Sequence, residues 1–593
     1  MLMKKVIQFY KRFPVLILFL YFLILTIVMT WPLVTRMFDA MVGMTGDNIY
    51  FVWMIGWIKK ALFELHVNPF NVWFLNYPEG WSLAYTEITP IQILIALPFA
   101  LLRGPTFGYN CAMILSFVLA GMSMFWWIKH LTGRGDAALI AGTAFAFIPY
   151  HFAHFLIGHL NLVGIQWFPL FFMGLTDLLG LGGNSSNATL LPEAAKRIQW
   201  RPVLLAGISL GLIGLTSQYY LYMLLFITAF MVFWRVIIMQ RSLIIDSRFW
   251  KQLLLMGLVS LPLVLLSIAP YLSLFQQGGL PDRNIGIVRM YSASPTDFIL
   301  PSTDHFLWGQ WVGSHFNREM WVEGTLYIGV VSGVLSILAL IKRKSLLQTR
   351  LIVLLFWTGL FAFILALGTD LHWNGDTVVV SIPSFLQTLL NRTETMIHLP
   401  GYYLFLYFPF FAKLRALMRF GVFVLVFTCA AAGLGSAWLI NRVNPGRKGL
   451  ITILVIGLLF LDLFPGPYSQ FAQVSSRPVD MWLAAQPGQG AVVQMPFKLA
   501  EDQEMTYYTL VNGKPFVGGF FNAFPPAQYM KIKPILERFP DGESIQLLRN
   551  LGVQYILVEQ GYYPDKTSLM DTCKTLGLKF VIEQGDQLVF EFK

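Results

Sequence analysis

The chain has 593 residues, of which 56% are hydrophobic, 16% aromatic and only 12% charged, and its mean hydropathy of +0.62 is too high for a soluble globule. The net charge of +11 does not point to nucleic acid, because Lys and Arg sit in short clusters between apolar runs, the pattern of cytoplasmic loops in a multi-pass membrane protein. Cys111 and Cys429 lie within apolar runs and Cys573 is alone in the polar tail, so no disulfide framework is expected.

The N-terminus, MLMKKVIQFYKRF, is basic and leads into an apolar run too long for a cleaved signal, which predicts an uncleaved anchor starting in the cytoplasm. Spans are expected at 14–33, 108–128, 136–150, 162–180, 203–217, 220–238, 253–273, 326–341, 351–368, 417–440 and 450–465, about eleven crossings. Residues 88–103 are also apolar but short and broken by Pro90 and Pro98, so they either cross or dip in and return. If they return, every basic cluster falls in the cytoplasm, including Lys129, Arg134, Arg235, Lys342, Arg350, Arg442 and Lys448. Loops 34–107, 151–161, 274–325 and 369–416 and everything after 466 then share the outer side. Residues 181–201 read as a cytoplasmic linker, with NSS and NAT on the wrong side for glycosylation.

After the first span, MTGDNIYFVWMIGWIKKAL places Asp47 where an amphipathic helix over 48–63 begins. Gly46 permits a tight turn, and Asp47 stands at the N-cap position. A capping acid at the membrane surface can also act as a base. Between two later spans, PYHFAHFLIGHLNLVGIQWFPL carries His151, His154, His159, Asn161 and Gln166. His151 and His154 share a helical face, but without an HExxH pattern, interfacial hydrogen bonding or substrate contact is preferred to zinc.

The loop 278–324 mixes Asp282, Arg283, Arg289, Asp297, Asp304, His305, His315, Arg318, Glu319 and Glu323 with three Trp. Arginines at an outer surface can grip phosphate and aromatic faces can stack on sugars; the alternative is a solvated loop with an aromatic belt. Lys413, Arg415 and Arg419 stand on the outer side against the positive-inside trend, which either a phosphate head group or snorkelling explains. From about residue 470 short strand-like runs (AVVQMPF, VQYILVE, LKFVIEQ, QLVFEF) alternate with helical ones. The chain is thus read as an α-helical polytopic domain (1–465) followed by an extracytoplasmic α/β accessory domain (466–593).

Taken together, the Thr45-Gly46-Asp47-Asn48 acid after the first span, the juxtamembrane helix, the Pro-broken segment and the basic turn KHLTGRGDAALIAGTAFAF resemble the GT-C superfamily of membrane glycosyltransferases. That group includes protein O-mannosyltransferases and lipid A aminoarabinose transferases. The resemblance implies a plasma-membrane enzyme that moves a sugar from a polyprenyl-phosphate donor to an extracytoplasmic glycan, lipid or protein acceptor, in contact with membrane lipids. It implies Asp47 as general base with inversion, and Arg283, Arg289, Arg318, Arg415 and Arg419 as stabilisers of the leaving phosphate. His151, His154, His159, Asn161 and Asp297 are the remaining candidate substrate contacts. Many members pair two acids where this chain has Asp-Asn, so no adjacent second carboxylate supports a metal; a divalent cation (Mg or Mn) is left open as cofactor. A lipid or glycan transporter or flippase, and a non-catalytic envelope assembly protein, are the alternative readings. Transporters more often show repeats and acids at span midpoints, which this sequence lacks.

Overall fold

The computed structural model describes residues 13–183, 197–276, 281–385, 387, 391–521 and 525–592. The basic N-terminal stretch before Phe13 and most of the 181–201 linker lie outside the described residues. Among the described residues, six helices are long and apolar enough to cross a membrane: Pro105–Thr132, Gly135–Ile157, Gln218–Met239, Ser247–Tyr271, Thr349–Ala366 and Leu417–Asn441. Shorter apolar helices accompany them at Pro14–Met29, Pro90–Arg103, Trp167–Leu178, Trp200–Thr216 and Val330–Ile341. The protein is a multi-pass membrane protein.

Pro90–Arg103 has 14 residues, so at about 1.5 Å per residue it falls short of the roughly 30 Å hydrocarbon layer. It ends at Gly104, whose φ of 92° turns the chain straight into Pro105–Thr132. The two helices pack so closely that a Cβ on Gly108 would sit 2.8 Å from the Ala96 carbonyl oxygen.

The two ends of the bundle differ chemically. At one end Arg134 bonds Asp136 and Asn441, Arg235 Nε donates to the Leu179 carbonyl at 2.7 Å, and Lys342 and Arg442 both lie over the Trp438 ring. At the other end the long loops and the tail interlock. Met41–Val42 pairs antiparallel with Phe471–Ala472, the Phe516 amide donates to the Phe74 carbonyl at 2.7 Å, and the Arg283 amide donates to the Ala412 carbonyl at 2.9 Å.

The tail builds a four-stranded sheet from β1 (Ala491–Met495), β2 (Val553–Glu559), β3 (Leu578–Gln584) and β4 (Gln587–Phe592), in spatial order β3-β4-β2-β1. β1 and β2 run parallel, while β4 is antiparallel to both β2 and β3. One face of the sheet joins the same continuous core as the membrane helices, and the other, with Val492, Tyr555, Leu557 and Val589, packs on Val479 and Leu483 in a separate cluster.

The helix Asp47–Lys60 departs from the amphipathic surface helix expected there. All residues from Asn48 to Trp57 are buried, because the tail helix Gln503–Asn512 and its following loop cover the face that would have met water. Tyr50 meets Phe520 edge to face at 5.2 Å, and a Cβ on Gly56 would press on Leu510 at 2.5 Å. All three cysteines are free.

Candidate active site

The loop bearing Asp47 and the helix bearing the histidines are fitted backbone to backbone. Pro149–Ile157 ends at Gly158, with φ 86°, where a Cβ would lie 2.3 Å from the Asn48 amide nitrogen. Gly43, with φ 101°, leaves room for a Cβ only 1.8 Å from the Leu156 carbonyl oxygen. Only glycine meets both the left-handed conformation and the close approach. Gly158→Ala is therefore expected to cost about 1–3 kcal/mol, read by thermal unfolding, and to misplace Asp47 against its partners.

Asp47 is not the helix cap. It is the first helical residue, after Gly46, and the local turn is locked by Asn48, whose Oδ1 accepts from the Gly46 and Ile49 amides at 3.0 and 2.9 Å while its Nδ2 donates to the Met44 carbonyl. The amide does the fixing a carboxylate could have done, which leaves the Asp47 carboxylate available. That side chain is 31% exposed, and His159 Nε2 stands 3.3 Å from its Oδ2.

From Asp47 a line of polar groups leads inward. His159 Nδ1 meets His154 Nδ1 at 2.8 Å, His154 Nε2 lies 3.8 Å from Glu323 Oε2, and Arg419 Nε donates to both Glu323 oxygens at 3.0 Å. His154, Glu323 and Arg419 are all buried. Burial by itself would raise the Glu323 carboxyl, but the Arg419 guanidinium, with His154 beside it, holds it down at about 2. The Arg419 guanidinium also lies over the Tyr219 ring at 5.3 Å.

The proton inventory of this line is constrained. If His159 donates from Nε2 to Asp47, a neutral ring must accept at Nδ1 from the His154 Nδ1–H. His154 Nε2 is then a bare lone pair facing a carboxylate, and it has no hydrogen-bond partner among the described residues. One ligand atom from each of His154, His159 and Glu323 lies within 4.8 Å of the others. Two imidazoles and a carboxylate fit a divalent transition ion such as Mn2+ better than Mg2+, which prefers oxygens.

The other expected site residues fall in different surroundings. His151 turns away from His154: its Nε2 meets Ser116 Oγ and its Nδ1 the Ala146 carbonyl, both at 3.0 Å, and its ring stacks on Phe117 at 3.8 Å. Asn161 is buried, with its Oδ1 unpartnered among the described residues. Arg289 Nε donates to Asp370 at 2.8 Å, and Arg318 Nη1 donates to Asp297 at 2.7 Å. Burial raises the Asp297 carboxyl even with Arg318 beside it. Arg415 lies over the Tyr291 ring at 4.9 Å, and no carboxylate pairs with it among the described residues. Lys413 pairs with Asp282 at 2.7 Å.

Glu323 and Asp370 are the groups the sequence did not single out. Glu323 is one of several acids in a long loop, and Asp370 follows a span without any motif. Asp370 also accepts from Thr369 Oγ1 at 2.9 Å and meets His398 Nδ1 at 2.6 Å. Burial alone would raise its carboxyl, yet Arg289, His398 and Thr369 together bring it below the usual range. A lowered folded-state value adds stability above the ordinary Asp pKa of about 3.9, and that stability is lost as pH falls through the lowered value. Asp370→Asn is expected to flatten the fall in melting temperature below about pH 4, measured by thermal unfolding across that range.

This arrangement of membrane helices with a covering α/β tail is the GT-C fold. The apo oligosaccharyltransferase of Archaeoglobus fulgidus is similar over 98% of this chain and 75% of its own, at 12% identity and a TM-score of 0.52. The oligosaccharyltransferase AglB from the same archaeon, in complex with an inhibitory peptide and a dolichol-phosphate, is similar at 13% identity and a TM-score of 0.50, with the same coverage. A mutant of the arabinofuranosyltransferase AftD from Mycobacteria is similar over 97% of this chain but 41% of its own, at 13% identity and a TM-score of 0.53. No curated protein matches by sequence. The chain belongs to the DUF6311 family, described as a domain of unknown function, which matches residues 15–461.

Proposed function

We propose that the protein is a glycosyltransferase that moves a sugar from a polyprenyl-phosphate carrier to an acceptor on the extracytoplasmic side, with Asp47 as general base. The observation that carries this reading is the partly exposed Asp47 carboxylate, freed from capping by Asn48 and oriented by His159 at 3.3 Å. The fold supports a lipid-linked donor, since the archaeal oligosaccharyltransferase of the same fold was solved with a dolichol-phosphate.

In the reaction, Asp47 takes the acceptor hydroxyl proton as that oxygen attacks the anomeric carbon from the face opposite the phosphate. The carbon–oxygen bond to phosphate breaks, and the polyprenyl phosphate leaves with the electron pair, so configuration inverts. The imidazole of His159 holds the carboxylate in one rotamer, and His154 backs the far side of that ring at 2.8 Å. Arg415, whose charge no described carboxylate takes up, is the cation assigned to the leaving phosphate. A divalent ion, if bound, would be held by His154, His159 and Glu323 in place of the contact between the two imidazoles, and would supply positive charge to the site.

With the bundle end that carries Arg134, Lys342 and Arg442 in the cytoplasm, the loops and tail face outward. The tail then has a direct role, because it covers the Asp47 helix. The experiment is transfer by purified protein from labelled polyprenyl-phosphate sugars to an envelope extract, with Asp47→Asn alongside; loss of transfer in the folded variant supports the base assignment.

A further inference from the structure

The loop that delivers Glu323 has a second face. Trp321–Gly324 is a short helical turn whose Glu323 points inward to Arg419, whereas Trp321 and Gly324 line a separate cleft of about 280 Å³ shared with Arg289, Asn317, Arg318, Glu319 and Asp376. A volume of this order is near the lower end of small-molecule sites, about 300–1,000 Å³. The cleft opens to water, with Glu319 and Asp376 exposed at its rim.

Its chemistry excludes the phosphate role that its arginines suggest in sequence. Arg289 is bonded to Asp370 and Arg318 to Asp297, so each cation already faces a carboxylate. Glu319 and Asp376 add further negative charge, which repels an anion. A cationic ligand is equally poorly served, because the guanidinium groups of Arg289 and Arg318 line the cleft and already occupy the Asp370 and Asp297 carboxylates. Hydroxyl groups both donate and accept. They suit a wall that sets carboxylate oxygens beside the Asn317 amide and the Trp321 ring.

We infer that this cleft binds a neutral saccharide unit of the acceptor. That the saccharide is the acceptor rests on the transfer reading above; that the cleft takes a neutral saccharide does not. The site stands on the opposite face of the Glu323 turn from the Asp47 line, so a bound acceptor would press on the element that holds Glu323 in place.

The test is saturation-transfer NMR and titration of the purified full chain with neutral oligosaccharides released from the envelope of the source cells, with inorganic phosphate as the anionic competitor. Glu319→Ala and Asp376→Ala remove exposed rim groups and are expected to weaken saccharide binding about tenfold, the value of one hydrogen bond to a charged group. Asp47→Asn is expected to bind as the parent does, and phosphate is expected not to displace the saccharide. Absence of saccharide binding, binding unchanged in both rim variants, or displacement by phosphate overturns the assignment. Rim-dependent binding by a protein that transfers no sugar from any donor leaves the cleft intact and removes the transfer reading. Transfer that is lost in Asp47→Asn but indifferent to both rim variants keeps the transfer reading and removes the acceptor role of the cleft.

Discussion

Asp47→Asn is expected to lower sugar transfer by about 10²–10⁴-fold, the range for loss of a positioned general base, with the protein still folded. The substitution is nearly isosteric, and the turn around it depends on Asn48 and not on Asp47. Asparagine keeps an oxygen at the place of Asp47 Oδ2, 3.3 Å from His159 Nε2, so the geometry of the line survives while its proton-accepting capacity goes. Donor binding, followed with a labelled polyprenyl-phosphate sugar, is expected to stay within a few-fold of the parent. The loss then lies in kcat, as it does when an interaction made only in the transition state is removed. An equal loss in Asn48→Ala would have a different origin: the turn would relax and Asp47 would drift, and the melting temperature would fall with the activity.

Arg419→Met is expected to destabilise the protein by about 3–5 kcal/mol, because it leaves Glu323 buried and charged without its partner. The two side chains are almost fully buried, 5% and 4% exposed, so water cannot replace the guanidinium. The double variant Arg419→Met/Glu323→Gln is expected to recover most of that loss, since the buried charge disappears with its partner. Thermal unfolding in detergent separates these outcomes. A single variant within 1 kcal/mol of the parent would mean that water already reaches Glu323.

What could be read from the sequence follows physical range. Apolar runs of membrane length identify themselves, and the Pro-broken segment 88–103 was recognisable as short because proline and length are local properties. Asp47 stood out because a glycine and an acid follow an apolar span. Its freedom from capping was not legible, since Asp47 and Asn48 are both good caps and only the fold decides which one closes the turn. The burial of Asp47–Lys60 was hidden for another reason: what covers it is Gln503–Asn512, more than 400 positions later.

The histidines illustrate the same limit. His151 and His154 share a face by spacing, yet one stacks on Phe117 and the other meets His159, because neighbouring helices sort residues that periodicity groups together. Glu323 joins His154 from a distant loop, and nothing in Trp-Val-Glu-Gly marks it apart from the other acids there. The arginines looked like a phosphate grip because charge is visible in sequence and pairing is not. Arg289, Arg318 and Arg419 turn out to face carboxylates.

The measurement that tests the transfer reading most directly is the anomeric configuration of the product made by purified protein from a defined polyprenyl-phosphate sugar, followed by NMR, in the parent and in Asp47→Asn. Product with inverted configuration, formed by the parent and lost in the variant, is the expected result. Product with retained configuration, or transfer undiminished in Asp47→Asn, would contradict a single displacement with Asp47 as its base.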